Sequence, residues 1–479
     1  MRIPFDLIAA VLCVEAISRY FLDLASSRQS LERLQLFDAA NAVTPGIAGL
    51  TWVAFFAIAW LLNELVTRRT EWRTRFGHHI TGFDGGPHPI VTHTWGTRAA
   101  QTLTVMVFAG VLWKLKWPLW VTQWPQWLGM APDAKLGRML LMHSSLAAIP
   151  LNLAPFLIAM VLGWMPRRRM LSGIRGRAIP LLPYIGYEAR LTWIPLALGV
   201  VLSFISDLCS ILPRHYTSWA DTPLFSTISM IAMIAFVSII GLPKLIVWLW
   251  QCKPIPEGEL KSRVQVLMAK SGVQAREIMV WGPRSSGLLN ACILGVWSRY
   301  RYVLISPSLV DELSMEETEA VMAHELGHAR YGHLGFLFVM ILCLSALMHP
   351  LMGSLPESWQ NSPVIEVLVL ISFILLYIGV FFGTIMRQCE READLASAEL
   401  MGTPAPLVSA LEKLAFITGN IRNVWCWHHG SIAERVAAVN RLSSDPVDSR
   451  RLHERLRRVR IAFTVVTVLV LGIQIFTQL

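Results

Sequence analysis

The segment VMAHELGHARYGH, residues 321–333, holds the side chains best suited to chemistry. His324 and His328 are four residues apart. On a helix, positions i and i+4 share a face, so the two imidazoles project side by side and can offer two nitrogens to one metal ion. Glu325 follows His324 directly, close enough to hold a metal-bound water. Helicity is predicted independently of the histidines. Ser314 followed by Glu317 is a capping box, which starts a helix at about Met315. HExxH on a helix is the pattern of a zinc metallopeptidase.

Two histidines do not complete such a site, because a catalytic zinc takes three protein ligands and a water. The third is expected to be another His, Asp or Glu. The segment RQCEREADLASAE at 387–399 supplies Glu390, Glu392 and Asp394, on a helix continuing from an apolar run. Spacing alone does not separate Glu390 from Glu392.

The elements that must position these groups are mostly apolar. Of the 479 residues, 54% are hydrophobic and 15% charged. A soluble domain averages about 25% charged residues. The apolar residues gather in runs of about 20, the length that crosses a bilayer core. Nine spans are predicted, at 5–24, 46–66, 99–121, 139–165, 191–212, 224–250, 334–353, 363–386 and 461–478. The fold class is therefore mainly α, a polytopic helical membrane protein carrying an α+β domain. The first run is interrupted by Asp6, Glu15, Arg19 and Asp23 and is read as a retained span rather than a cleaved signal.

The net charge of +10 comes from residues beside the apolar runs, such as Arg68 and Arg69 and the RRR at 167–169. That distribution marks cytoplasmic loops and argues against a nucleic-acid partner. If spans alternate, the basic loops and the two long polar segments, 251–333 and 387–460, fall on the cytoplasmic side. The N-terminus is then inside and the C-terminus outside. The organisation expected is a membrane region at 1–250, a catalytic domain at 251–460 interrupted by a membrane hairpin at 334–386, and a last span at 461–479. Seven cysteines without a CxxC pair suggest neither a disulfide framework nor a cysteine metal site.

Within the polar segments, a helix is predicted at about 257–271, a strand at 278–282, and a hairpin of strands at 290–296 and 300–306 around Trp297–Arg299. His333 is read as continuing the HExxH helix in a structural role. His78, His79, His88 and His93 are read as a solvated loop, and Cys389 as packing. Glu366 lies inside a predicted span, near its outer end, where exposure to water is as expected as a function. The tryptophans at 113, 117, 120, 124 and 127 read as an interfacial belt.

HELGHARYGH followed by CEREADLASAE resembles the integral membrane zinc metallopeptidases of the HtpX and CAAX prenyl protease type. The resemblance covers about residues 257–442. It implies a zincin-like fold, a zinc ion, and Glu390 of the ExxxD motif as the third ligand beside His324 and His328. It makes Asp394 a partner that orients a zinc-binding histidine. Asn290-Ala291 matches the family's asparagine-alanine pair on the strand before the HExxH helix and implies substrate pairing nearby. HHGSIAER at 428–435 matches a histidine-proline segment ending in arginine, with His429 and Arg435 in the matching places and Gly430 where proline is usual. The implied mechanism is hydrolysis of a peptide bond by a zinc-activated water, with Glu325 as general base and His429 stabilising the oxyanion. The implied partners are a peptide or protein substrate and the lipid bilayer. The implied location is a bacterial inner membrane, with the catalytic domain facing the cytoplasm.

Three other readings remain open at this point. A membrane sensor protease would cleave a cytoplasmic regulator. A CAAX-type enzyme would process lipidated proteins. A non-enzyme would retain a dead site, against which the full set of catalytic residues speaks.

Overall fold

The computed structural model describes residues 45–80, 89–121, 145–174, 178–190, 237–282, 289–360, 362–418, 421–426 and 429–476, with single positions at 10, 13, 14, 17, 192 and 200. The spans predicted at 5–24 and 191–212 lie almost wholly outside this set, as do His88, Trp124 and Trp127. The chain forms two compact units, residues 1–217 with 361–367, and 218–360 with 368–479.

The first unit is built on α1 (Pro45–Ile80), α2 (Pro89–Leu115), the short α3 (Trp117–Val121) and α4 (Ser145–Ile174). Phe55, Phe108, Leu112, Leu153 and Phe156 are fully buried between the long helices. Two helices run beyond their apolar stretches. α1 continues to Ile80, and α2 starts at Pro89, a residue whose fixed φ suits a first helical position. His93, expected in a solvated loop, is consequently buried on α2. The span predicted at 99–121 is broken at Lys116, where φ is +51°. The arginines at 167–169, read from sequence as a topology marker, also clamp the unit. Arg169 pairs with Glu64 at 2.9 Å, Arg167 lies 3.5 Å from Glu188, and Arg168 donates to the Ile179 carbonyl at 2.5 Å.

The second unit begins with α5 (Leu242–Leu249), β1 (Lys253–Pro254), α6 (Glu259–Ser271), β2 (Glu277–Val280), β3 (Ala291–Leu294) and β4 (Tyr302–Ile305). The strand order is β1-β2-β4-β3, with β2 and β4 parallel and both outer pairs antiparallel. The predicted hairpin is present, with Ala291 opposite Ile305 and Leu294 opposite Tyr302. β3 stands at one edge of the sheet. Val303, Leu304 and Ile305 are almost wholly buried, as expected of an inner strand.

After α7 (Pro307–Glu312) comes the HExxH helix, α8 (Met315–Arg330). Its predicted capping box is formed. The Glu317 backbone N–H donates to Ser314 Oγ at 3.2 Å, and the Ser314 N–H donates to Glu317 Oε2 at 2.7 Å. His333 does not continue this helix. The chain turns at Gly332, whose φ of +70° favours glycine, and His333 opens α9 (His333–Gly353). The short α10 (Glu357–Gln360) follows. Then α11 (Pro363–Leu376) passes through a π turn at Tyr377–Phe382 into α12 (Gly383–Met401). Tyr377 Oη donates to the Met340 carbonyl at 2.8 Å, tying the two arms of the hairpin. The unit closes with α13 (Ala405–Ile417), α14 (Ile432–Ser444) and α15 (Pro446–Phe476).

Among the described residues, four helices are long and apolar enough to cross a membrane: Gly46–Glu71, Ile149–Ser172, His333–Gly353 and Leu368–Met401. They overlap four of the nine predicted spans. α2 covers the larger part of the span predicted at 99–121, and α15 nearly all of that at 461–478, but neither is among the four.

The crossing of α8 over α12 is close because the facing residues are small. A Cβ at Gly327 would sit 2.9 Å from Ala396 Cβ and 3.1 Å from Ala393 Cα. Ser397 Oγ donates across the same contact to the Ala320 carbonyl at 2.7 Å. Gly327→Ala tests this contact. Relieving an interior helical glycine favours the helix by about 1 kcal/mol. Overpacking a buried contact costs about 1–3 kcal/mol. The expected outcome is a lower unfolding temperature of the detergent-solubilised protein. A higher one would show that the helices have room to spare.

Candidate metal and catalytic site

α8 presents His324 and His328 one turn apart, and α12 presents Glu390 opposite them. His324 Nε2 and His328 Nε2 are 3.2 Å apart. Glu390 Oε2 lies 3.6 Å from His324 Nε2, and Glu390 Oε1 lies 3.5 Å from His328 Nε2. The three donors fall within 4.8 Å of one another. Tetrahedral bonds of about 2.0–2.1 Å from zinc to nitrogen or oxygen put neighbouring donors about 3.3–3.4 Å apart. The donor set therefore fits a zinc ion in both chemistry and spacing.

Glu392 is two residues from Glu390 and points elsewhere, because positions i and i+2 do not share a helix face. Its carboxylate faces His333, 2.8 Å from that ring's Nε2. Helix geometry thus puts Glu390, and not Glu392, beside the two histidines.

Asp394 is one turn from Glu390 and fully buried. Its Oδ1 lies 2.8 Å from His324 Nδ1. Arg435 on α14 holds both its oxygens, with Nη2 to Oδ1 at 2.6 Å and Nε to Oδ2 at 3.0 Å. Arg435 Nη1 also lies 3.5 Å from Glu390 Oε2. Burial alone would pull the His324 pKa down, but the adjacent Asp394 more than reverses this and raises it. At His328 burial wins over the opposing charge of Glu390, 3.5 Å away, and takes the pKa well below the usual histidine range.

Glu325 is pushed up to about 7 by burial, with Glu390 adding to the rise and His324 opposing it. Its carboxylate accepts a bond from the Ile293 backbone N–H. Ile293 lies on β3, the edge strand, so Glu325 sits beside the sheet edge. Asn290 and Ala291 lie at the start of the same strand. Asn290 exchanges two bonds with Ser306, its N–H to Oγ at 3.0 Å and its carbonyl to the Ser306 N–H at 2.9 Å, and Ala291 is buried.

His429 comes from the loop before α14, with Nδ1 2.9 Å from Glu390 Oε2. The next residue, Gly430, has φ of +76°. Proline, usual there in the resembling family, is locked near −65° and cannot take that conformation. The departure from the family pattern therefore goes with a different local backbone. Cys389 packs among Phe336, Met340 and Leu456, as expected from sequence. His453 and Arg460 on α15 also reach Glu392, a pairing the sequence reading did not find. Their seven-residue spacing on one helix face was the available signal.

Comparison with known proteins gives one answer. The model of Peptidase family M48 matches residues 254–459. A protease HtpX homologue of Acidovorax ebreus is 26% identical over 292 residues, 52% of this chain and 96% of the relative. A CAAX prenyl protease 1 homologue of Oryza sativa is 26% identical over 212 residues, 41% of this chain and 50% of the relative. An HtpX homologue of Bacteroides fragilis is 34% identical over 142 residues, 26% of this chain and 44% of the relative. The match thus spans nearly all of the first relative and half or less of the other two. The crystal structure of S. mikatae Ste24p shares the fold, with a TM-score of 0.53 at 16% identity, over 82% of this chain and 99% of that one.

The region 254–459 thus matches the M48 peptidase family, on the side of the HtpX and CAAX prenyl protease relatives, and together with the apolar helices this supports a membrane protease.

Asp394→Asn removes the carboxylate beside His324 while keeping its shape. Loss of such a partner typically weakens metal binding about 10–100-fold. A chelator-competition titration of zinc is expected to show a weakening of that order, and unchanged affinity would mean that His324 needs no such support.

Proposed function

We propose that this protein is a zinc-dependent endopeptidase that cuts peptide bonds of membrane or misfolded proteins. The observation that carries the reading is the convergence of His324, His328 and Glu390 beside Glu325 and an open strand edge. His324, His328 and Glu390 would hold the ion. A bound zinc supplies a water whose pKa is near 7 and polarises a carbonyl oxygen.

This chain's own residues do the rest. Glu325 accepts a proton from the attacking water and passes it to the leaving amine, a role favoured by a carboxyl tuned near 7. Asp394 and Arg435 keep His324 oriented. The substrate pairs as an extra strand along β3, near Asn290 and Ala291, where backbone groups give affinity without sequence demands. His429, beside Glu390, is assigned to the developing oxyanion. The positive-inside pattern supports a catalytic domain facing the cytoplasm, in a bacterial inner membrane, with the spans held in the bilayer.

Purified protein with zinc, assayed on an unfolded test protein, checks the assignment. Glu325→Gln is expected to hold zinc and lose cleavage by several orders of magnitude. Full activity in that variant would exclude Glu325 as the base. Cleavage of a prenylated peptide with no cleavage of the unfolded protein would move the substrate class to lipidated proteins.

A further inference from the structure

His333 and Glu392 stand outside the donor set, yet both are buried. His333 Nδ1 lies 2.8 Å from His328 Nδ1, and His333 Nε2 lies 2.8 Å from Glu392 Oε2. An ionised carboxylate only accepts hydrogen bonds, so the proton on this side of His333 is on Nε2. In a neutral ring, Nδ1 is then the acceptor, and the His328 Nδ1–H donates to it. His328 Nε2 is left as a bare lone pair, directed at His324 Nε2 and Glu390.

The other end of this chain lies on α15. His453 Nδ1 is 2.7 Å from Glu392 Oε1, and Arg460 Nη2 donates to Glu392 Oε2. Three donors from two helices, α9 and α15, therefore meet one buried carboxylate. His324 is held in the same manner by a separate pair, Asp394 and Arg435. The two histidines are thus set by independent chains of partners.

We propose that His333 and Glu392 are positioning residues that fix the tautomer and ring angle of His328. Through His453 and Arg460, α15 is then part of the scaffold of the metal centre as well as a candidate membrane anchor. The inference rests on the reading of His324, His328 and Glu390 as a metal site.

The test uses the full chain in detergent, stripped of metal. Zinc is titrated against a competing chelator, and Co2+ is titrated while its visible d–d absorption is followed. His333→Phe keeps a flat ring and removes both nitrogens. It is expected to weaken zinc binding about 10–100-fold and to alter the cobalt band. His333→Gln, whose amide can accept from His328 and donate to Glu392, is expected to stay within a few-fold of wild type. Arg460→Met is expected to alter the cobalt band in the same direction by a smaller amount. Should His333→Phe fail to fold, Glu392→Gln takes its place and is expected to weaken binding at least several-fold. Wild-type affinity and an unchanged cobalt band in the folded variant overturn the inference. Failure of the wild-type chain to bind zinc overturns the metal site itself, an outcome seen before any variant is compared.

Discussion

The close crossing of α8 and α12 is the contact on which the site depends. Gly327 meets Ala393 and Ala396 with no room for a side chain, and Ser397 bonds across to Ala320. That approach carries Glu390 to within 3.6 Å of the histidine nitrogens. A wider crossing would leave the same three residues present but unable to meet one ion. Small residues at the interface therefore do as much for the chemistry as the donors themselves.

Around this crossing, charge is arranged in two buried sets that share α12. Asp394 and Arg435 face His324, whereas Glu392 faces His333, His453 and Arg460. A buried carboxylate is costly unless it is paired and hydrogen-bonded. Each of the two is held by at least one arginine and one histidine. α12 thus turns one face to the candidate metal centre and another to α9 and α15. The π turn at Tyr377–Phe382 precedes this stretch, where an apolar helix becomes one that carries four acidic groups.

The sheet contributes an edge and a wall. β4 is buried in the core and holds β3 on one side, and among the described residues no strand pairs with its other side. The Ile293 N–H bonds Glu325 on that other side, so the base and the strand edge come into register. Burial that raises Glu325 follows from the same packing of α8 against the sheet.

Much of this was legible in the sequence. Ser314 and Glu317 announced α8, because a capping box is a local device. The two short strand segments at 290–296 and 300–306 predicted the hairpin, and the order of HExxH and ExxxD motifs pointed to the family whose model matches residues 254–459. His324 and His328 were evident from helix periodicity alone. What lies beyond local reach was decided by tertiary structure. The choice between Glu390 and Glu392 depends on which face of α12 meets α8. The burial of His93 depends on α2 extending past its apolar run, and the turn at Gly332 puts His333 on α9 rather than on the HExxH helix. The partnership of His453 and Arg460 with Glu392 joins residues about sixty positions apart. Helix faces and caps are set by neighbours in the chain, whereas which faces meet is set by packing.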